Sequence, residues 1–365
     1  MVCPYSVSRP GGVQGQVVGL ARALRSLGLD VTVVAPDDKR PIGLDGDTYV
    51  VGRSTGLRSN GSVAPVALSP FAAARAERFT AGGDFDIVHL HEPLAPVVGY
   101  GCVARSPLPL VGTYHRSGDS TWYTLMAPVA RWANARLSAR TAVSEEAAAT
   151  ARAAMGGDYE VLFNGVEVQR FASAEPTPTD GPTVLFLGRH ETRKGLEVLL
   201  DAFAQVPETA TLWVAGDGPS TEGLRRRHPS SARLQWLGVL SDEEVARRLA
   251  GAHILCAPSR RGESFGMVLL EGMAARCVVV ASDIPGYRDA AGGHAILVPP
   301  GDVKALAKAL VETVAQVSLG TGRSTDAALN GASAHAADWS MGRLATRYAE
   351  IYQEAVGSGS PRAGQ

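Results

Sequence analysis

The chain has 365 residues, which is enough for two domains of ordinary size that each bury a hydrophobic core. Its 35 lysine and arginine residues almost balance 36 aspartate and glutamate residues, and the formal net charge of -1 excludes a global positive field that would bind nucleic acid or a membrane by charge alone. The four cysteines are far apart and form no C-x-x-C pair, which argues against a zinc site or a disulfide framework and favours a reducing compartment.

The N-terminal stretch MVCPYS has the pattern of the second half of a buried first strand, which favours a start codon a few residues further upstream. It lacks the charged and apolar regions of a signal peptide, and no apolar run in the sequence reaches the 18 residues of a membrane-spanning helix. We therefore predict a cytoplasmic protein.

Short β-branched runs alternate with Ala- and Leu-rich amphipathic segments along nearly the whole chain, a pattern typical of βα units around buried parallel sheets. In chain order the runs are DVTVVAP, DIVHLHEP, LPLVGTYH, TVLFLGR, TLWVAGDG, HILCAPS, CVVVAS and AILVPPG. They form two sets, separated by the Pro-rich stretch ASAEPTPTDGP. The predicted fold class is α/β, with two doubly wound Rossmann-like domains that face a ligand cleft at the carboxyl edges of their sheets.

The predicted domain bounds follow from these two sets. Residues 1–168 are predicted to form the N-terminal Rossmann-like domain, and residues 169–338 the C-terminal one. An aromatic amphipathic helix, 339–356, is expected to pack back on the first domain, so that hinges lie near 166–172 and 338–343. A Gly/Ser/Pro tail, 357–365, is expected to be disordered.

The stretch PGGVQGQVVGLARALRSLG follows the first strand directly. Gly11 and Gly12 let the backbone approach a ligand closely, and the next helix offers N–H groups and a positive dipole end to an anion. The stretch is therefore an anion or sugar cradle, or else a bare tight βα turn. Neither G-x-G-x-x-G nor a Walker A pattern occurs here.

The stretch LGRHETRKGLEVLLDAF also follows a strand. Arg189 and Lys194 are five residues apart across a turn, so both cations can converge on a diphosphate, although such residues are also often merely solvated. Arg193 is left to solvent in this interpretation.

In GESFGMVLLEGMAA a Gly-rich turn precedes a helix whose first N–H groups suit a diphosphate, with Ser264 as a cap. Glu263, at the turn, can accept hydrogen bonds from sugar hydroxyls, and Glu271, about two helical turns further on, suits a ribose diol. The alternative is that Glu263 and Glu271 are both ordinary surface glutamates. The acidic DFD at 84–86 is interpreted as a turn rather than a metal-binding pair, so no tightly bound metal or cofactor is predicted.

Five motifs taken together resemble the retaining GT-B glycosyltransferases of family 4, and the resemblance covers almost the whole chain. Within that family, MVCPYS, PGGVQ, NGSVA, HEPLAP and RGESFG look most like the actinobacterial phosphatidylinositol mannosyltransferases, which move mannose from GDP-mannose to the inositol ring of a membrane lipid. The five motifs are P-G-G, N-G-V at 164–166, G-R-x-x-x-x-K at 188–194, G-x-G-P at 216–219 and E-x7-E at 263–271.

The resemblance implies that residues 1–168 bind the acceptor and residues 169–338 bind the nucleotide sugar. It also implies a role for each matching residue. Arg189 and Lys194 would neutralise the leaving diphosphate, Glu263 would hold the transferred sugar, and His115 would lie near that sugar or the acceptor. Fixed charges and helix dipoles would stabilise the departing phosphate while the acceptor attacks from the same face, without a carboxylate nucleophile. The implied donor-binding residues are Gly11, Gly12, Gly188, Ser264, Phe265, Gly266 and Glu271, and the implied acceptor-binding residues are Tyr5, Gln14, Asn60 and Arg116.

A lipid acceptor requires contact with the inner face of the cell membrane. The segment 119–137 has helical apolar spacing and suits either the membrane interface or the protein core. Arg75 and Arg78 make a weaker anchor than the basic cluster of the lipid enzymes, and Pro65 and Ala67 stand where those enzymes have basic residues.

Two other functions stay open. One is a family 4 transferase that uses another nucleotide sugar and a soluble inositol phosphate or glycan acceptor. The other is a nucleotide-sugar-binding protein without transferase activity. The sequence also departs from the family at Arg276, which replaces a usual glycine and costs about 1 kcal/mol if the position requires φ > 0.

Overall fold

The computed structural model describes residues 1–9, 11–59, 62–95, 97–116, 127–263 and 265–359. The chain divides into two compact units. The first contains Met1–Gly165 and the chain from Met341 onward, and the second is Val166–Ser340.

In the first unit the described strands are β1 (Val33–Ala35), β2 (Gly43–Asp45), β3 (Thr48–Val50), β4 (Thr55–Ser59), β5 (Ser62–Val66), β6 (Val88–His91), β7 (Leu110–Tyr114), β8 (Ala139–Ala142) and β9 (Glu160–Val161). The helices are α1 (Gly12–Ser26), α2 (Pro70–Gly82), α3 (Val98–Arg105), α4 (Ala127–Ala135), α5 (Glu145–Met155) and, at the end of the chain, α14 (Met341–Gly359).

The sheet of the first unit consists of two groups of strands, and the N-terminal residues of the chain lie between them. Strands β6, β7, β8 and β9 are parallel neighbours in that order, and β1 pairs in parallel with β3, which pairs with β2 in antiparallel fashion. Val2 forms parallel bridges to Val34 of β1 and Leu90 of β6, and so joins the two groups. The predicted buried first strand is thus represented by one bridging residue.

Helices α1 and α14 pack against each other on this unit. Each buries a stripe of side chains three or four residues apart, which is the period of one helix face. The buried side chains are Val17, Leu20, Ala21 and Leu24 on α1, and Tyr348, Ile351, Tyr352 and Ala355 on α14.

In the second unit the strands are β10 (Thr183–Leu187), β11 (Thr211–Ala215), β12 (Leu234–Gly238), β13 (Ile254–Ala257), β14 (Val278–Ser282) and β15 (Ala295–Val298). The helices are α6 (Val168–Ala172), α7 (Leu196–Phe203), α8 (Thr221–Arg227), α9 (Asp242–Gly251), α10 (Met267–Ala274), α11 (Pro285–Ala291), α12 (Val303–Leu319) and α13 (Asp326–Asp338), with 3-10 turns at Thr192–Lys194 and Gly322–Ser324.

The six strands of the second unit are all parallel, in the order β12-β11-β10-β13-β14-β15. The side chains of β10, β11, β13 and β14 are almost continuously buried, as in parallel sheets that helices cover on both faces. The order reverses between β10 and β13, which places a topological switch point at the centre of the sheet. The predicted α/β class with two Rossmann-like units is confirmed.

The chain passes between the units at two points, Gly165 to Val166 and Ser340 to Met341. Val166 donates its main-chain N–H to the Trp339 carbonyl at 2.8 Å and forms a parallel bridge with Ser340. The two passages therefore run side by side. No described helix has the length and apolarity required to cross a bilayer.

Candidate active site

Two loops of the second unit meet beyond the carboxyl ends of β10 and β13, which pair in parallel at the switch point. The loop after β10 contains the 3-10 turn Thr192–Lys194. The carbonyl of Arg193 in this turn accepts the main-chain N–H of Arg260, in the loop after β13, at 2.7 Å. Open α/β sheets bind ligands at this place.

The carboxylate of Glu263 joins the side chains of these two loops. Lys194 Nζ lies 2.7 Å and Arg193 Nη1 lies 3.0 Å from Glu263 Oε1. The Ser259 hydroxyl donates to the same oxygen at 3.3 Å. Only 13% of the Glu263 side chain is exposed, so water screens these ion pairs less than it screens pairs on an open surface. The prediction that Arg193 is left to solvent is wrong, because its guanidinium pairs with both Glu263 and Glu191.

A second carboxylate, which the sequence did not single out, neutralises the other side of the loop. Glu191 contacts Arg189 Nε at 3.1 Å and Arg193 Nε at 2.8 Å. Arg189 and Lys194 therefore contact different carboxylates, with Arg193 between them. The three cations of this cluster outnumber its two carboxylates, and this excess of one positive charge favours an anionic ligand.

Buried aromatic rings support the loop that ends in Gly266. The Tyr287 hydroxyl hydrogen-bonds with Ser259 Oγ at 2.9 Å, and burial raises the pKa of Tyr287 well above its usual range. Gly266 has a φ of 77°, and a Cβ atom on it would lie 2.5 Å from the Tyr287 ring, so only glycine fits there. The buried ring of Phe265 packs on Trp339, with ring centroids 4.9 Å apart.

Glu271 lies in α10, where burial raises the pKa of its carboxyl to about 7 and the charge of Arg170 opposes the rise. Arg170 itself is paired with Glu167, 3.2 Å away. Glu271 consequently changes its charge close to neutral pH.

A cavity of about 240 Å³ opens at the ends of β10, β11 and β12. On one side, Nδ1 of the buried His190 donates a hydrogen bond to Thr221 Oγ1 at 2.8 Å, because the single hydroxyl proton of Thr221 goes to Asp217. The hydrogen bond from Thr221 lowers the pKa of the aspartate. Trp236 and Arg225 line the other side. Gly188, at the end of β10, donates its N–H to the Ala215 carbonyl of β11.

In the first unit, α1 begins at Gly12 with Gly11 as an extended N-cap that makes no side-chain hydrogen bond. A Cβ atom on Gly12 would meet nothing within 4 Å, whereas one on Gly11 would meet the Gln14 amide at 2.4 Å. Gln14 is buried and donates to the Ser6 carbonyl at 3.4 Å. The helix therefore starts without a side-chain cap, beside a polar amide.

Glu92 lies near three residues of the first unit that were predicted to lie in the site, namely His115, Arg116 and Tyr5. It is buried directly after β6, with the left-handed φ of 51° that non-glycine residues rarely adopt. Its carboxylate accepts the main-chain N–H of His115. The charges of both Glu92 and Arg116 act on the Tyr5 hydroxyl, whose pKa burial raises well above its usual range.

His115 follows β7, and its Nε2 atom lies 3.0 Å from His91 Nδ1. Burial lowers the pKa of His115 to about 3. Ser264 and Asn60 lie outside the described residues, as do residues 119–126 of the segment 119–137. In the remainder of that segment, α4 buries Ala130, Ala133 and Asn134 and exposes Trp132.

Comparison with known proteins decides the family. Two family models match, described as "Glycosyltransferase Family 4" over residues 10–170 and "Glycosyl transferases group 1" over residues 181–316. A phosphatidyl-myo-inositol mannosyltransferase of Mycobacterium tuberculosis is 36% identical over 375 residues, covering 99% of this chain and 97% of that protein. The chain belongs to glycosyltransferase family 4.

The chain is also similar to a glycosyltransferase with another named acceptor and to solved glycosyltransferase structures. A D-inositol 3-phosphate glycosyltransferase of Kribbella flavida is 28% identical and covers 82% of this chain and 81% of its own length. Among solved structures, HepE of Anabaena in complex with UDP and glucose matches with a TM-score of 0.71 at 20% identity, covering 96% of this chain and 98% of that one. The predicted GT-B fold and glycosyltransferase activity are confirmed.

In this glycosyltransferase the structure brings Lys194 into direct contact with Glu263, and links Arg189 to them only through Glu191 and Arg193. The described residues include no group of three side chains suited to a metal ion. Four of the residues that the sequence did not single out lie in or next to a motif or a strand end, which is a signal that could have found them. These residues are His91, Glu92, Glu191 and Ser259. Tyr287 lies inside α11 and carries no such signal.

Proposed function

We propose that this family 4 glycosyltransferase transfers an α-mannosyl residue from GDP-mannose to the inositol ring of phosphatidylinositol, with retention of anomeric configuration, at the cytoplasmic face of the membrane. The observation that carries the proposal is the Glu263 carboxylate held by Lys194 and Arg193 beside Arg189, at the switch point of a Rossmann-like sheet. The names of its relatives supply mannose and the inositol lipid.

The charged cluster suits a reaction in which a diphosphate leaves. Arg189 and Lys194 would neutralise the charge that develops on the leaving phosphate, and preorganised cations do this without reorganisation during the reaction. Glu263 would accept hydrogen bonds from hydroxyls of the transferred sugar. Because Ser259 and Arg193 also hold this carboxylate, Lys194 can turn to the diphosphate without leaving Glu263 unpaired.

Neighbouring residues would bind the other parts of the donor. Glu271 would accept hydrogen bonds from the ribose diol, and Gly188, Ser264, Phe265 and Gly266 would shape the phosphate and sugar subsite. The cavity lined by His190, Asp217 and Trp236 would hold the nucleobase, since it lies at the ends of the strands next to Arg189. Gly11 and Gly12, at the uncapped start of α1, would approach the phosphates.

The acceptor would bind on the first unit. Tyr5 and Arg116 lie near Glu92 and His115, which gives a set of hydrogen-bonding groups suited to a polyol ring. Gln14 and Asn60 complete the proposed acceptor subsite. His115 is neutral at physiological pH, so we assign it a hydrogen-bonding role at the sugar or the acceptor.

Peripheral membrane contact would come from two helices. On α2, Phe71 is 73% exposed and Arg78 is exposed, whereas Arg75 donates to the Val51 carbonyl at 2.9 Å and is less accessible to lipid headgroups. On α4, Trp132 is 46% exposed. Aromatic rings with nearby cations suit a membrane interface.

The test is transfer of radiolabelled mannose from GDP-mannose to liposomes that contain phosphatidylinositol, with UDP-glucose as a second donor. Labelled lipid from the wild type and from Glu222→Gln, an exposed control carboxylate, but not from Glu263→Gln, would support donor, acceptor and site together. Labelled lipid formed only with radiolabelled UDP-glucose would refute GDP-mannose as the donor.

A second candidate acceptor is a soluble inositol phosphate. The similarity to the Kribbella flavida enzyme favours it, as does the absence of basic side chains at Pro65 and Ala67. Incubation of the wild type with a soluble inositol phosphate in the same assay distinguishes the two. Label found only in the soluble product would replace the lipid in the proposed function.

A further inference from the structure

Two histidines on neighbouring strands share one hydrogen bond at the edge of the first unit's sheet. His91 is the last residue of β6 and His115 follows β7, its parallel neighbour. His91 Nδ1 lies 3.0 Å from His115 Nε2. His91 is 2% exposed, and its other nitrogen, Nε2, has no hydrogen-bond partner among the described residues.

The neighbouring His89 differs in this respect, because both of its ring nitrogens are occupied. Its Nδ1 lies 2.7 Å from Tyr352 Oη and its Nε2 lies 2.7 Å from Thr113 Oγ1. The His89 and His91 rings are packed together, with centroids 4.2 Å apart. The His91 ring is therefore held in place by a partner that is itself fixed at two points, and it cannot easily rotate to exchange its nitrogens.

The shared hydrogen bond contains one proton, which belongs to one of the two rings. Both rings are neutral, since burial lowers the pKa of each histidine. If His115 donated from Nε2, the proton of His91 would lie on its buried Nε2, as an N–H group without an acceptor. If His91 donates from Nδ1, only an unpaired acceptor is buried. Buried N–H groups without an acceptor are rare in proteins, so the second arrangement, which buries none, is favoured.

We infer that His91 is a positioning residue that fixes the tautomer of His115. It donates from Nδ1 to His115 Nε2, which keeps the His115 proton on Nδ1. The main-chain bond from His115 to Glu92 holds the same residue from its other side. His115 then presents an N–H donor to an oxygen of the substrate, and the inference rests on the proposed function in placing His115 at the substrate.

This arrangement restricts the chemistry of His115. A ring whose Nε2 lone pair is occupied by His91, and whose Nδ1 carries the proton, cannot accept a proton from an attacking hydroxyl. It can donate a hydrogen bond to a hydroxyl oxygen of the transferred sugar or the acceptor, and so orient it. The proton assignment follows from the hydrogen-bond pattern and is accessible to direct measurement.

The test is ¹⁵N NMR of the histidine ring nitrogens in the full-length enzyme, with the His115 signals assigned by their loss in His115→Gln. We expect His115 Nδ1 to be protonated and Nε2 to be unprotonated. In His91→Leu the two tautomers of His115 should mix, and kcat/KM for transfer should fall on the order of tenfold, as for other residues that orient a functional histidine. His91→Asn can donate from nearly the same position, and it should restore most of the His115 tautomer preference and of kcat/KM.

The control is His253→Asn, which changes a histidine of the second unit whose ring accepts the main-chain N–H of Thr183. It should leave the His115 tautomer unchanged. Protonated Nε2 on His115 in the wild type, or an unchanged tautomer and kcat/KM in a folded His91→Leu enzyme, would overturn the inference. Absence of transfer to phosphatidylinositol by every protein, with the expected tautomer in the wild type, would contradict the proposed acceptor and leave the proton assignment standing.

Discussion

Lys194 and Glu263 form a 2.7 Å ion pair across two loops of the second unit, and Arg193 and Ser259 contact the same carboxylate oxygen. The Glu263 carboxylate thus pairs with Lys194, one of the two cations that we assign to a diphosphate. Donor binding must change the partner of at least one of these groups.

Glu263→Gln should therefore separate nucleotide binding from transfer. Loss of this negative charge leaves Lys194 and Arg193 available to phosphate, so the affinity for GDP should stay equal or rise. Transfer should fall by about a hundredfold or more, because the sugar loses a charged hydrogen-bond acceptor. Isothermal titration with GDP and a transfer assay measure the two quantities. Weaker GDP binding by Glu263→Gln than by Glu222→Gln would contradict the competition.

Tyr287→Phe tests the support behind Glu263. The variant removes the hydroxyl that hydrogen-bonds with Ser259, at a site where both residues are buried. We expect a loss of about 1 kcal/mol in the free energy of unfolding and a several-fold fall in kcat. Urea denaturation and steady-state kinetics provide the readout. Tyr159→Phe, which removes a tyrosine hydroxyl in the first unit, is the control and should leave kcat unchanged.

The charge of Glu271 predicts a pH dependence of donor binding. Its pKa is about 7, and only the ionised carboxylate is a full acceptor for a ribose diol. The KM for GDP-mannose should therefore fall as the pH rises from 6 to 8, and Glu271→Gln should abolish this trend. A KM that is flat over this pH range in the wild type would be inconsistent with the ribose role.

The raised pKa of Glu271 also makes stability depend on pH. The folded state holds a proton that the unfolded state releases, so the stability contributed by Glu271 is complete below pH about 4.5 and is lost as the pH rises through about 7.

Arg276 tests backbone strain outside the site. Its φ is 63°, while its guanidinium pairs with Asp326 and bonds to Asn330 on α13. These exposed contacts contribute about 0–1 kcal/mol, which offsets a positive-φ cost of about 1 kcal/mol. Arg276→Gly should be more stable than Arg276→Ala by about 1 kcal/mol, because both lose the contacts and only glycine relieves the strain. Equal urea midpoints for the two variants would argue against strain at this position.

Gln16 fastens the point where the chain leaves the first unit. Its buried side-chain amide donates to the Gly165 carbonyl and accepts the Gly165 N–H, both at 2.9 Å. Gly165 has no room for a side chain, because a Cβ atom would lie 2.8 Å from Met341 Cα. Gln16→Leu should lower the free energy of unfolding by about 2–4 kcal/mol, since it removes two hydrogen bonds to the backbone. Chemical denaturation measures the loss, and a change below about 0.5 kcal/mol would show that water replaces the amide.

Local patterns in the sequence predicted much of the fold. All eight β-branched runs lie in parallel strands, because strands buried on both faces need continuous apolar segments. Weaker patterns gave no such prediction. Strand β12 is only partly buried, and α13 lies in a polar Gly/Ser/Thr stretch, yet α13 packs closely on α10.

The sequence by itself determined the βα alternation, the family and the identity of the motif residues, since each depends on short segments whose composition and spacing are visible locally. Only the tertiary structure decided which charges and hydrogen bonds meet. Arg193 reaches Glu263 across 70 residues, and Gln16 reaches Gly165 across 149. Such contacts depend on the order of strands in a sheet and on the path of the loops between them, and no local period in the sequence encodes either.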